Sequence, residues 1–156
     1  MAAIHLLLDE YAESHRNGTN KTIHWICVPA IMISLIGLIW SIPTPDFMAQ
    51  LPFPMNWGIL FVLLAMVYYV ALSPSLALGM VLVSLFFLWI VYQLDQFSGL
   101  PLWAICLFIF VVAWVGQFVG HKIEGKKPSF LKDLQFLLIG PVWLLSFIYQ
   151  KLGIPY

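Results

Sequence analysis

The chain has 156 residues, of which 62% are hydrophobic and only 9% are charged, and its seven Lys and Arg balance its seven Asp and Glu. A soluble domain is about one quarter charged, and so few charged side chains could not cover the surface of a water-soluble domain of this length. Nucleic acid is not an expected partner either, because binding it would require a basic excess. The composition predicts an integral membrane protein.

The first predicted element is a short amphipathic helix at the N-terminus, which carries Ile4, Leu8 and Tyr11. Four later segments have the apolarity of membrane-spanning helices, which need about 20 residues. These segments are 23–42, 57–72, 76–94 and 100–120. Turns rich in Pro, Ser and Gly separate them. We therefore expect one all-α membrane domain comprising residues 1–156, surrounded by membrane lipids.

A fifth apolar segment, 134–149, is interrupted by Gly140 and Pro141. Such a break is compatible with a fifth spanning helix or with a re-entrant segment that enters the membrane and returns on the same side. The re-entrant alternative places Lys151 on the same side as the other cations, and for that reason it is favoured.

The distribution of Lys and Arg predicts the orientation. Arg16 and Lys21 precede the first span, whereas the loops at 43–56 and 95–99 contain neither Lys nor Arg. The cations after the fourth span are Lys122, Lys126, Lys127 and Lys132. An even number of spans puts all these cations on one side of the membrane, together with the N-terminus and the candidate site. The positive-inside rule predicts that this side faces the cytoplasm. The membrane is then a bacterial inner membrane or, in a eukaryote, the endoplasmic reticulum.

The four histidines, His5, His15, His24 and His121, all belong to this cytoplasmic layer. His24 lies in the first turn of the first span, His121 lies in the last turn of the fourth, and the Asn- and Gly-rich turn at 17–20 can fold His15 over His24. Three imidazoles in so apolar a protein are candidate metal ligands, although single histidines at this depth often serve only as interfacial polar groups. His5 is expected to be solvated or packed, and it is kept as a possible fourth ligand.

Other side chains near His121 have predicted supporting roles. Gly116 and Gly120 form a small-xxx-small pair that permits a close approach of a neighbouring helix. Gln117 lies one turn before His121 and can hydrogen-bond a ring nitrogen. Lys122 or Arg16 could hold the carboxylate of a substrate.

The residues alone leave the metal and the chemistry open. Imidazole suits zinc, copper, nickel and iron, and two or three His with or without a carboxylate can form a non-haem iron oxygenase site or a zinc hydrolase site. Carboxylates at hand are Asp9, Glu10, Glu13, Glu124 and Asp133. A non-enzymatic scaffold or carrier is a further alternative. The two cysteines, Cys27 and Cys106, are predicted to be free thiols.

Two motifs carry a family resemblance. Residues 14–29 (SHRNGTNKTIHWICVP) and 117–128 (QFVGHKIEGKKP), followed by Gly140 and Pro141, resemble the signatures of the DUF962 or Mpo1-like family. This resemblance implies an Fe(II)-dependent dioxygenase of fatty acid α-oxidation. Its substrates would be a 2-hydroxy fatty acid and O2, and its products the acid one carbon shorter and CO2. It also implies that His15, His24 and His121 carry the function. A homo-oligomer is compatible with the sequence.

Overall fold

A computed structural model describes residues 2–52, 55–97, 99–125 and 136–156, and every regular element in those ranges is an α-helix. The helices are α1 (Ala2–Ala12), α2 (Gly18–Trp40), α3 (Asp46–Ala49), α4 (Trp57–Leu72), α5 (Pro74–Phe97), α6 (Leu102–Glu124) and α7 (Ile139–Leu152). The helical fold class is therefore confirmed. Lys126, Lys127, Lys132, Asp133 and the start of the fifth apolar segment lie outside the described residues.

Three helices, α2, α5 and α6, are long and apolar enough to cross a membrane. The predicted spans 23–42, 76–94 and 100–120 fall largely within them, although α2 begins five residues earlier and ends at Trp40. Helix α4 coincides with the predicted span 57–72, but its 16 residues are about 24 Å long and fall short of the roughly 30 Å hydrocarbon layer. These lengths are consistent with a membrane protein.

The outer surface of the helix bundle is apolar. Leu64 on α4, Leu82 on α5 and Phe108 on α6 are 62%, 71% and 70% exposed. Apolar side chains at such density on the outside of a protein would be unfavourable in water and are favourable against lipid tails. The surface therefore agrees with the membrane environment that the composition predicts.

Helices α2 and α6 form the most extensive helix pair, and glycines on α6 permit their close approach. A Cβ at Gly116 would lie 2.7 Å from the Sγ atom of Cys27, and a Cβ at Gly120 would overlap the Oδ1 atom of Asn20. The predicted small-xxx-small contact is therefore present, with α2 as the neighbour. Cys27 and Cys106 are free and buried, as expected.

Helix α7 begins at Ile139, within the fifth apolar segment, so Gly140 and Pro141 lie in its first turn. Proline is tolerated there because the missing N–H would have no partner within the helix. Helix α1 packs against α7 with the predicted apolar side, and Ile4, Leu8 and Tyr11 are all buried.

Three hydrogen bonds attach α7 and the residues that flank it to the end of α4 and the start of α5. The hydroxyl of Tyr149 donates to the carbonyl oxygen of Ser75 at 2.8 Å, and the hydroxyl of Ser75 donates to the carbonyl oxygen of Pro155 at 2.7 Å. At the other end of α7, the hydroxyl of Tyr69 donates to the carbonyl oxygen of Leu138 at 2.9 Å. The C-terminal end of α7 therefore lies beside the first residues of α5.

Candidate metal centre

Three imidazole rings meet where the turn after α1, the start of α2 and the end of α6 come together. The ring centroids of His15 and His24 are 4.1 Å apart, and the centroid of His121 is 5.3 Å from the first and 5.2 Å from the second. All three residues are at most 3% exposed. One ligand nitrogen from each ring lies within 4.8 Å of the others, so the cluster could hold a metal ion.

Two main-chain carbonyl groups orient these rings. The Nδ1 atom of His15 lies 2.6 Å from the carbonyl oxygen of Tyr11, and the Nδ1 atom of His24 lies 2.9 Å from the carbonyl oxygen of Asn20. Because a carbonyl oxygen can only accept, each Nδ1 carries the hydrogen, and the neutral ring has its lone pair on Nε2. The Nε2 atoms of all three histidines are buried. This donor set fits a metal ion that prefers imidazole nitrogen.

Aromatic side chains from two helices cover the ring of His15. Tyr11 of α1 stacks on it with a centroid distance of 4.3 Å, and Trp143 of α7 lies 5.1 Å from it. The rings of Tyr11 and Trp143 are themselves 5.1 Å apart. This cover shields the imidazole from water on that side, which strengthens electrostatic interactions inside the cluster.

The carboxylate of Glu124, at the end of α6, fixes the turn that carries His15. It accepts hydrogen bonds from the backbone N–H groups of Arg16 and Asn17, each at 2.9 Å, and from Nδ2 of Asn20 at 3.0 Å. The same Nδ2 atom donates to the carbonyl oxygen of Ser14 at 3.1 Å. Hydrogen bonds to an ionised acceptor are stronger than neutral ones. Glu124 therefore joins the end of α6 to the start of α2 beside the histidines.

The start of α2 is set by its capping residue. Asn17 has an extended backbone, and its side-chain oxygen accepts from the backbone N–H groups of Thr19 and Asn20 at 2.8 and 3.3 Å. This arrangement satisfies two of the N–H groups that have no partner at a helix N-terminus. The predicted capping by the Asn-rich turn is therefore present, and it places His24 in the second turn of α2.

Two other candidate residues are not members of the three-histidine group. Gln117 is buried and lines a small cavity of about 20 Å³, together with Tyr11 and Trp114. His5 is exposed on α1, and its ring lies 5.4 Å from that of Tyr156. Within the described ranges, the group that could share an ion consists of His15, His24 and His121 without His5.

The candidate cations differ in position. An open cavity of about 480 Å³ has His15 in its wall, and both Arg16 and Lys21 line it. Lys122 is exposed, and it is not among the described residues that line this cavity. Of the two cations predicted for a substrate carboxylate, Arg16 is the one that lines this cavity beside His15.

Sequence reasoning missed three contributors to the site. The sequence gives Glu124 only as one of five carboxylates at hand, with its place in the second motif as the available signal, and the structure shows its oxygens accepting from the turn. The sequence predicts Tyr11 only on the apolar side of α1, and Trp143 lies in neither histidine motif. In the part of the chain that the structure describes, no carboxylate joins the three-histidine group.

Comparison with known families agrees with these motifs. The sequence profile described as 2-hydroxy-palmitic acid dioxygenase Mpo1-like matches residues 1–152. The chain belongs to the Mpo1-like family. Among curated proteins and solved structures, nothing matches it at a significant level. The Mpo1-like name suggests a dioxygenase that acts on a 2-hydroxy fatty acid.

Proposed function

We propose that this Mpo1-like protein is an Fe(II)-dependent dioxygenase that converts a 2-hydroxy fatty acid and O2 to the fatty acid one carbon shorter and CO2. The observation that carries the proposal is the buried cluster of His15, His24 and His121. It occurs in a chain whose family is described as a 2-hydroxy-palmitic acid dioxygenase. Buried imidazoles that converge in an otherwise apolar protein are costly unless they have a function.

The proposed reaction balances without a further co-reactant. One 2-hydroxy acid and one O2 give the shortened acid, one CO2 and one water. The bond between the carboxyl carbon and the hydroxyl-bearing carbon breaks, and the latter becomes the new carboxyl carbon. The organic substrate loses four electrons and O2 gains four. Bound Fe(II) would supply the one-electron chemistry that activates O2, with open positions for oxygen ligands.

The chain's own groups have distinct roles in this proposal. Nε2 of each of the three histidines would hold the ion, while Nδ1–H bonds keep His15 and His24 in the required tautomer. Tyr11 and Trp143 exclude water from one side of the site. Gln117, one turn before His121, would orient a ligand from its buried position.

The test separates the proposal from its two alternatives. Iron-loaded protein in lipid nanodiscs should contain about one iron per chain, consume O2 when 2-hydroxypalmitic acid is added, and stop when O2 is removed. Zinc-loaded protein should be inactive. Lipid hydrolysis that continues without O2 would support a zinc hydrolase instead. Protein that retains no stoichiometric metal would support a scaffold or carrier.

We also propose that the fifth apolar segment is re-entrant and that the histidine cluster faces the cytoplasm. Helix α7 has 14 residues, about 21 Å, which is shorter than α4 and well short of the roughly 30 Å hydrocarbon layer. Its C-terminal end bonds to Ser75 at the start of α5. In a four-span topology this position is on the same side as Lys21 and His121. Membrane-impermeant maleimide should therefore label Lys151→Cys and Lys21→Cys from the same side, and labelling from opposite sides would contradict this topology.

A further inference from the structure

Two cavities of opposite character lie on either side of one pair of aromatic rings. The first is the open polar cavity that has His15 in its wall, and Phe147 lines it. The second is an apolar groove of about 240 Å³, and Trp25 lines that one. The rings of Trp25 and Phe147 have centroids 6.4 Å apart. This ring pair therefore joins the lining of the polar cavity to the lining of the groove.

The groove is suited to a hydrocarbon chain. Helices α2, α5 and α7 form it, and among the described residues every side chain that lines it is apolar or aromatic. On α5 its lining includes Val83 and Phe87, which lie nine and 13 residues after Pro74 and therefore about 14 and 20 Å along the helix. The groove thus extends from the level of the histidine cluster toward the middle of the apolar bundle.

Aromatic rings connect the histidine cluster to this groove. The ring centroids of His15 and Trp143 are 5.1 Å apart, those of Trp143 and Phe147 are 4.8 Å apart, and Phe147 in turn faces Trp25. Trp143 and Phe147 are separated by one turn of α7, so they lie on the same face of that helix. A ligand that lay across this face would have its polar head group beside His15 and its hydrocarbon tail beyond Trp25.

The polar cavity offers positive charge for a carboxylate where Arg16 and Lys21 line it. Arg16 is exposed and Lys21 is half-buried, and both line the cavity beside His15. Asp9 and Glu13 line it as well. The cavity as a whole is therefore not cationic, and an anion would be held locally by Arg16 or Lys21.

We propose that the polar cavity and the apolar groove together form one binding site for a free long-chain 2-hydroxy fatty acid. Its carboxylate lies at Arg16, and its hydrocarbon tail passes Phe147 and Trp25 into the groove between α2, α5 and α7. The identity of this ligand rests on the proposed function. The groove residue Ile148 is then a determinant of chain length.

Ile148 offers a direct test because it lines the groove and is 44% exposed, so a larger side chain can be accommodated there. The matched control is Leu152, one turn later on α7, which is 66% exposed and is not among the described residues that line the groove. Binding is measured on the full chain in nanodiscs with no metal added, by displacement of a fluorescent fatty acid.

Ile148→Trp should weaken the binding of 2-hydroxypalmitic acid about fifteenfold, because each methylene group removed from apolar contact costs about a factor of four and two are displaced. Binding of 2-hydroxyoctanoic acid should change less than twofold, since its short tail does not reach the groove. Leu152→Trp should change neither affinity by more than twofold.

A second comparison tests the carboxylate position. Arg16→Gln should weaken 2-hydroxypalmitic acid about fivefold, the effect of one exposed ion pair, and should leave hexadecane-1,2-diol unchanged because this ligand has no charge. Equal effects of Ile148→Trp and Leu152→Trp would overturn the groove assignment. Competition by phosphatidylglycerol as strong as that by the acid would also overturn it, because the groove would then be an ordinary lipid contact.

These binding results are independent of turnover. If Ile148→Trp acts as expected but iron-loaded protein consumes no O2, the site stands and the proposed function fails. If turnover is observed while both tryptophan variants bind 2-hydroxypalmitic acid as well as the unmodified protein does, the proposed function stands and the groove assignment fails.

Discussion

Replacing Gly120 with Ala tests how closely the metal centre depends on the contact between α2 and α6. A Cβ atom at this position would overlap the Oδ1 atom of Asn20. Asn20 is fully buried, its Nδ2 atom donates to Glu124 and to the carbonyl oxygen of Ser14, and its own carbonyl accepts from Nδ1 of His24. Any movement of Asn20 therefore reaches the ring of His24 directly.

The expected cost follows from three opposing contributions. Alanine is favoured over glycine inside a helix by about 1 kcal/mol. Forcing an extra methyl group into a packed contact costs about 1–3 kcal/mol, and each of the two Nδ2 hydrogen bonds that is distorted costs about 1 kcal/mol. The net loss for Gly120→Ala is about 2–4 kcal/mol, which corresponds to a decrease in melting temperature of about 5–15 °C for a chain of this size.

The metal centre should be affected as well as the stability. Loss of a group that orients a ligating histidine typically lowers metal affinity by about 10- to 100-fold, and we expect Gly120→Ala to lose affinity in this range. Iron content by elemental analysis and thermal unfolding in nanodiscs measure the two effects separately.

Gly18→Ala is the matched control. It introduces the same methyl group into the first turn of α2, within the same motif as Asn20, but nothing lies within 4 Å of its Cβ position. We expect this variant to bind iron normally and to be unchanged or stabilised by up to about 1 kcal/mol. If Gly120→Ala binds iron and melts like Gly18→Ala, the close contact does not position the site and the reasoning is wrong.

Three further predictions concern individual side chains. His121→Ala should abolish iron binding and turnover, whereas His5→Ala, on an exposed side chain far from the cluster, should retain stoichiometric iron by elemental analysis. Glu124→Gln replaces the ionised carboxylate, which accepts from the backbone N–H groups of Arg16 and Asn17, with a neutral amide. This change should lower the free energy of unfolding by about 2 kcal/mol, as measured by a thermal melt. Steady-state kinetics should give a KM for 2-hydroxypalmitic acid that rises about fivefold in Arg16→Gln and less than twofold in Lys122→Gln, and the reverse order would assign the carboxylate to Lys122.

The helical architecture and the histidine cluster could be predicted from the sequence because both depend on local patterns. Runs of apolar residues predict long helices wherever they occur. The two motifs place His24 near the start of one predicted span and His121 near the end of another. An even number of predicted spans brings these two helix ends to the same side of the membrane. The turn at 17–20 has the composition that reverses the chain toward His15.

The surroundings of the cluster could not be predicted in the same way. Trp143 contacts His15 only because α7 packs on α1, and this depends on which faces of two distant helices are complementary. The sequence also leaves the role of Pro141 open, since a proline can end one helix or begin another. The sequence places Glu124 only among the carboxylates near the histidines, because it does not reveal which donors reach its oxygens.

The cover over His15 also has a consequence for how the protein is made. Tyr11 lies in α1 and Trp143 lies in α7, so Tyr11 is translated early and Trp143 is translated late. When α6 has been translated, all three histidines have been synthesised, but Trp143 does not yet cover the ring of His15. The site is completed only after α7 has left the ribosome and docked, and a chain interrupted before α7 would leave that imidazole in contact with water.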